Sequence, residues 1–439
     1  MSKTLHLGLF LMPNGHHFGG WRHPQAQVTR HLDFDAYVDI ARKAEAARLD
    51  MIFIADRLAV DDIYGADFRD AVRYRPSTSA EPITLIAALS AVTRHIGLVA
   101  TASTTYNEPF HVARMFASID HLSGGRVAWN AVTSTSDGEA HNFSRAEHLD
   151  RTTRYRRAGE FLDVVTGLWR TWGEDALLAD KSSGEFYDPA KIHYLDHKGE
   201  WFNVRGPLNV PRTPQGRPVI IQAGQSEEFR DLAAQQADVI FTVQPTLAGA
   251  KAFYADLKNR AQGFGRAPDA LKILPGLVPI VGRSEAHAQE LQALLKERTH
   301  PLAGLTFMSA SMNYDLSQHP LDELFPDIED RLKGSRGRFQ YVIRDARERG
   351  LTLAEVAQNY AANRSHNLVV GTPQFIADQM QQWLEEEASD GFNLMPAYMP
   401  GGLDDFLEQV VPELQRRGLF RREYSGHTLR DNLGLALPA

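Results

Sequence analysis

The chain has 439 residues, 43% hydrophobic, 9% aromatic and 23% charged, proportions that exclude wholesale disorder and allow a large core. Its 47 basic and 55 acidic residues give a formal charge of −8. No Lys/Arg block of the kind that grips phosphate backbones stands out, which argues against nucleic acid as a partner. The absence of cysteine excludes disulfides, thiolate metal sites and a Cys nucleophile together.

The N-terminal MSKTLHLGLFLMPNGHHFGG has an apolar stretch of about seven residues before Pro13, too short for a secretory signal or a membrane span. A cytoplasmic protein without membrane contact is expected. From there, strand and helix patterns alternate. Leu5 to Leu11 reads as a buried strand, FDAYVDIARKAEAARLD as a helix capped by Asp33 or Asp35, and Met51 to Asp56 as a second strand ending in a carboxylate. ITLIAALSAVT is the next helix. Two further strands follow, the first ending at Thr101, Ser103 and Thr104 and the second at Asn130 and Thr133. Between them Val112, Met115, Phe116 and Ile119 form one apolar helical stripe.

RYRRAGEFLDVVTGLWRTW reads as a long helix, PVIIQAG as a strand, SEEFRDLAAQQA as a helix, ADVIFT as a strand, LAGAKAFYADLKNRAQGFG as a helix and LKILPGLVPIVG as a strand. FNLMPAY is a last strand flanked by helices. This rhythm predicts an α/β fold, a TIM (β/α)8 barrel, and the length exceeds the roughly 250 residues of a minimal barrel. A single elaborated domain over 1–439 is the expectation. Two insertions interrupt the rhythm: about 172–213, rich in Gly, Pro, Asp and His, and about 302–337, without a sustained period and read as a candidate lid.

Parallel strands open their C-terminal ends on one face, so polar residues just past each apolar run line a common pocket. That singles out Asp56, Thr101, Ser103 and Asn130. Gly224-Gln225-Ser226, at the start of a helix, offers backbone N–H groups and a hydroxyl to an anion; the plainer reading makes Ser226 a cap for a helix whose Glu227 and Glu228 complement its dipole. His16, His17, His23 and His31 are not spaced with a carboxylate in a ligand motif, so no metal is assigned. Neither a Walker loop nor a strand leading into GxGxxG is present.

Over nearly the whole chain, GLFLMPNGHHFGGWRHPQAQ, FIADR, TTYNEPFHVARMFASIDHLSGGRVAWNAVTS, EAHNF, RYRRAGEF, RGPLNVPRTPQGRPVIIQAGQSE, DGFNLMPAYMP and VVPELQRRGLFRREY resemble the nitrilotriacetate monooxygenase component A group of the bacterial luciferase-like flavin monooxygenases. The resemblance extends to dibenzothiophene-sulfone and long-chain alkane monooxygenases. It implies a luciferase-like barrel, reduced FMN taken as a co-substrate from a separate NAD(P)H:FMN reductase, O2, and a homodimer or homotetramer. It places Asp56 beside the flavin ring, with Thr101 or Ser103 bordering it, and gives Asn130 a hydrogen bond to the pyrimidine side. Tyr155, Gly224 and Ser226 would hold the phosphate.

Arg151 departs from the pattern, because relatives often carry a His four residues before the RY tyrosine. It either brings two donors to the phosphate, shifts the flavin, or points outward. The flavin does the difficult bond making, so the protein must exclude water and orient the substrate. Residues 302–337 would be the cover, and His16 or His17, expected to face the mouth, would be the catalytic hydrogen-bond or proton donor. Oxidation of a small organic substrate by C–N cleavage of an amine or aminopolycarboxylate is favoured. Arg22 and Arg57 would supply cations near the mouth for its carboxylates. C–S cleavage of a sulfone or thioether is the alternative, and a non-catalytic flavin-binding barrel is the alternative of another class.

Overall fold

The structure, a computed structural model, describes residues 3–438. Eight strands close a parallel barrel: β1 (His6–Phe10), β2 (Met51–Ile54), β3 (Gly97–Ser103), β4 (Val127–Val132), β5 (Val219–Ala223), β6 (Val239–Thr242), β7 (Lys272–Val281) and β8 (Gly391–Leu394). Each pairs with the next, and β8 closes onto β1 with Phe392 opposite Leu7. The expected TIM barrel is therefore present. A further short strand, Asn367–Gly371, extends the sheet along the far half of β7.

Alternation along the strands sorts the core into two layers. Outward residues such as Leu7, Ile52, Leu98, Trp129 and Ile220 pack under the surrounding helices. Inward residues fill the barrel: Phe10, Phe53 and Phe241 meet with ring centroids 5.1 to 5.5 Å apart, above Met51, Val99, Val239 and Leu274. These rings form the floor of the open end. Asp33 rather than Asp35 caps the first long helix, Phe34–Ala46, accepting from the Asp35 N–H.

The segment about 302–337 departs from its expected irregularity. It begins with a helix, Pro301–Met312, in which Ala303, Gly304, Leu305, Thr306 and Met308 to Met312 are all buried. A helix that is apolar all round has no amphipathic period to detect. It packs with helices Arg336–Arg349 and Leu353–Asn363 around a core of its own, including Met308, Met312, Phe339, Ile343 and Tyr360. Residues 172–213 are mostly irregular and include a small antiparallel hairpin, His197–Lys198 with Asn203–Val204. Glu160 on the helix Arg151–Trp169 holds it by accepting from the N–H groups of Glu200, Trp201 and Phe202.

The closed end of the barrel carries paired buried charge. Asp238, just before β6, accepts from both nitrogens of Arg217 at 2.6 and 3.0 Å and from Arg430 at 3.3 Å, and Arg430 is 2% exposed. Burial opposes ionisation of Asp238, but the two guanidinium groups win and hold its carboxyl far below the usual range. Asp50, before β2, is likewise held by Arg421 and His6. Among the described residues, no helix is long and apolar enough to cross a membrane.

Asp238→Ala leaves Arg430 buried beside a second cation, so urea unfolding at pH 7 should show a loss of about 3 kcal/mol or more. A change below about 1 kcal/mol would mean that water replaces the carboxylate at little cost.

Candidate active site

The open end of the barrel holds one cleft with two lobes. The polar lobe, about 290 Å³, is walled by the ends of β4, β5 and β6 and by Arg151, Arg154 and Tyr155 at the start of their helix. The apolar lobe, about 330 Å³, lies over the ends of β1 and β2 and is walled by Phe10, Met12, Phe18, Trp21 and Leu85 among others. Asp56, Arg57, Val132, Ala223, Phe241, Phe307 and Arg338 belong to both walls, so the lobes are continuous. Phe307, Ser311, Ser335 and Gly337 supply the cover from the 302–337 segment. The outer hairpin region, 172–213, contributes to neither wall.

Polar groups without partners converge on the polar lobe. Among the described residues, Ser226 Oγ, Arg151 Nε, and Arg154 Nε and Nη1 are buried and make no hydrogen bond. Ser226 does stand at the N-cap position of the helix Glu227–Gln236, but its hydroxyl caps no backbone N–H. The cap reading therefore leaves the hydroxyl unexplained, since a buried donor without a partner costs roughly 1–3 kcal/mol. Arg154 is 3% exposed, and its charge is disfavoured by burial and by neighbouring Arg151. Arg151 has one distant carboxylate, Glu228 at 3.7 Å. Two guanidinium groups, a hydroxyl, a helix N-terminus and the half-buried Tyr155 together form a seat for a dianion such as phosphate. Gly224 lines the same wall, where Phe229 packs so closely that a Cβ would stand 2.7 Å from its ring.

At the junction of the lobes Asn130 Nδ2 donates to Thr101 Oγ1 at 2.8 Å, and Thr101 donates to the Ile54 carbonyl at 2.8 Å. This chain fixes the amide, and its Oδ1 has no partner. Both residues line the apolar lobe. Ser103 turns the other way: its hydroxyl meets Ser134 Oγ at 3.0 Å and accepts from the Thr105 N–H, so it forms no part of either wall. Asp56 stands in both walls, and burial, reinforced by Glu81 and Glu139, pushes its carboxyl up to about 6.

The two histidines separate. His17 lines the apolar lobe, accepts from the Gly19 N–H at 3.0 Å through Nδ1, and is brought down to about 4 by burial, so it is neutral at pH 7. His16, expected at the mouth, is fully buried behind the wall. Its Nε2 donates to the Phe10 carbonyl at 2.7 Å and its Nδ1 accepts from Arg364. Both ring nitrogens are thereby occupied. Arg57 reaches the cleft and forms an ion pair with Asp61 at 2.6 Å, whereas Arg22 bonds the Arg298 carbonyl and lines neither lobe.

Sequence reasoning missed Arg154, Arg338 and Arg364. Arg154 had a legible signal, because residues 151, 154 and 155 share one helix face. Arg364 had little, since it lies in a polar stretch, ANRSHN, that carries no periodic signal.

Residues 12–390 match the model of the luciferase-like monooxygenases. The chain belongs to that family. It is 46% identical to N-acetyl-S-(2-succino)cysteine monooxygenase of Bacillus subtilis (strain 168) over 100% of this chain and 98% of that one. It is 46% identical to nitrilotriacetate monooxygenase component A of Aminobacter aminovorans over the same shares, and 44% identical to dibenzothiophene-sulfone monooxygenase of Rhodococcus erythropolis (strain XP) over 100% and 98%. Among solved structures, a long-chain alkane monooxygenase superposes with a TM-score of 0.87 at 34% identity over 99% of this chain and 96% of that one. A riboflavin lyase with modified FMN and riboflavin does so with 0.89 at 31% identity over 99% and 97%. The protein is thus a flavin-dependent monooxygenase, and luciferase-like monooxygenases use reduced flavin with O2.

The raised carboxyl of Asp56 has a consequence for stability. Unfolded, it ionises near 3.8; folded, near 6. The native state therefore binds the extra proton between those values, and the residue's contribution falls as pH rises through the window. Asp56→Asn should remove that fall: the stability of the variant relative to wild type should rise from pH 4.5 to about 6.5 and then level off in thermal or urea unfolding. A difference independent of pH would show that Asp56 ionises normally.

Proposed function

We propose that this protein is the cytoplasmic oxygenase component that receives reduced FMN from a separate NAD(P)H:FMN reductase and uses O2 to cleave a C–N bond of a small amine or aminopolycarboxylate. The observation that carries the flavin assignment is the set of unpartnered groups in the polar lobe: Ser226 Oγ, Arg151 Nε and two nitrogens of Arg154. A phosphate dianion satisfies them all. The unpartnered Asn130 Oδ1 is an acceptor in the wall of the lobe that Phe10, Phe53 and Phe241 also line, suited to a ring N–H of the isoalloxazine. Thr101 orients that amide, while Tyr155 and Gly224 complete the polar wall. Ser103 keeps a supporting role behind the β3 end.

Reduced FMN, when bound, supplies the electrons that activate O2. The chain supplies position and dryness. Phe307 and Gly337 cover the cleft, and the aromatic floor keeps water from below. Asp56, which titrates near 6 where the lobes meet, can hold or release a proton close to neutral pH. His17, neutral with its Nε2–H as donor, serves the substrate side.

Oxygenation of a carbon next to nitrogen gives an unstable product that separates into an aldehyde and the shorter amine. C–S cleavage is the second reading, because a relative named for a cysteine thioether is as similar, at 46% identity, as the one named for nitrilotriacetate. A homodimer or homotetramer is also proposed. Sedimentation with and without FMN would determine it.

The test supplies NADH, FMN, a purified flavin reductase and O2, and offers nitrilotriacetate, N-acetyl-S-(2-succino)cysteine and dibenzothiophene sulfone in parallel. The proposal expects an aldehyde and a dealkylated amine from nitrilotriacetate, with no NADH oxidation when the reductase is omitted. Release of a thiol or sulfinate from the sulfur compounds alone would favour the second reading. If hydrogen peroxide accounts for all O2 consumed with every compound, neither substrate class stands.

A further inference from the structure

The substrate side of the cleft carries more positive charge than its carboxylates neutralise. Arg57 and Arg75 share one partner, Asp61. Arg338 and Arg364 line the same apolar lobe, and among the described residues neither has a carboxylate within 4.0 Å. Arg364 is 6% exposed. Its Nε is buried without a partner, and its Nη2 finds only Met12 Sδ at 3.2 Å and the lone pair of His16. The rings of Phe10, Phe18 and Phe307 stand 5.7 to 5.9 Å from its guanidinium carbon. Cation–π contacts of this kind recover part of a buried charge's lost hydration, but only part.

Arg338 donates to the Tyr360 hydroxyl at 3.3 Å; burial first, and then the charges of Arg338 and Arg75, disfavour the charge on Arg364, while burial and the charges of Arg338 and Arg364 depress His366. Two cations held together in an apolar wall are unfavourable until anions join them. His16 explains how Arg364 is aimed. With Nε2–H committed to the Phe10 carbonyl, Nδ1 is left as a fixed acceptor, so a neutral His16 holds one end of the guanidinium against the wall.

We infer that Arg364 and Arg338 form a two-point clamp for the two carboxylates of a dicarboxylate-bearing substrate, with His16 as the positioning residue for Arg364. This rests on the proposed reading for the reaction only; the clamp itself is a statement about binding. It makes the second carboxylate the selected feature and places His16 outside the chemistry. Phe10 and Phe18 then contact the carbon skeleton between the two charges.

The test is equilibrium binding, by calorimetry on the FMN-loaded protein, of N-methyliminodiacetate and of its monoamide, which keeps the shape and loses one charge. The clamp predicts that the dicarboxylate binds at least about tenfold more tightly than the monoamide. Arg364→Met and Arg338→Met should each bring that ratio near one, with FMN affinity unchanged in Arg364→Met, and Arg364→Lys should restore part of it. His16→Ala should reduce the ratio without moving FMN affinity, which a merely structural loss would not do selectively.

Arg338, on the cleft wall with its partner hydroxyl at hydrogen-bond distance, gives a variant that keeps the test open if the Arg364 variants do not fold. Equal binding of the two compounds, absence of binding by both, or an undiminished ratio in Arg338→Met would overturn the clamp. A preserved ratio in wild type, with no amine product in turnover, would retain the clamp and discard the C–N reading.

Discussion

A guanidinium removed from water needs acceptors, whether the carbonyls that surround Arg126 or a carboxylate, and the two ends of this barrel meet that requirement differently. At the closed end Asp238 lies between Arg217 and Arg430, and Asp50 between Arg421 and His6. At the open end Arg154 keeps unpartnered nitrogens in the polar lobe and Arg364 keeps one in the wall of the apolar lobe. Paired charges hold the scaffold; unpaired ones define what the scaffold is built to receive. The division follows from strand direction, because all eight strands point their C-terminal ends at the same opening.

The aromatic floor connects the two ends. Phe10, Phe53 and Phe241 block the barrel axis and give the cleft a dry base, so each polar group above them acts in a medium of low polarity. That is why Asp56 titrates near 6 and His17 near 4. The helical layer from Pro301 to Asn363 covers the same base from above. Flavin chemistry needs such an enclosure, since water and stray protons divert reducing equivalents from the substrate.

Much of this was legible in the chain. β2, β3 and β4 are apolar runs that end in or just before polar residues, so Asp56, Thr101 and Asn130 were readable as rim residues from the chain alone. The parity of β3 was not: Ser103 follows Thr101 by two, yet the strand end bends it toward Ser134. The helix Pro301–Met312 was invisible because burial on all sides erases the period that marks a helix. His16 and His17 looked alike as neighbours in a loop, but His16 is held behind the wall by the Phe10 carbonyl and Arg364 while His17 lines the apolar lobe. Arginines are the hardest class to place, because the same residue type decorates surfaces and seats anions. In RTTRYRR the structure draws Arg151 and Arg154 inward and sends Arg156 to an exposed pair with Glu200.

The measurement that bears most directly on the account is the affinity of wild type, Arg154→Met and Ser226→Ala for FMN and, side by side, for riboflavin, followed by flavin fluorescence. If the polar lobe seats the phosphate, wild type binds FMN far more tightly than riboflavin. Each variant then weakens FMN by about tenfold or more, in line with loss of a charge-assisted hydrogen bond, and leaves riboflavin unchanged. Equal affinity for the two flavins in wild type, or variants that weaken both alike, would contradict a phosphate seat at Arg154 and Ser226 and the orientation of the cofactor built on it.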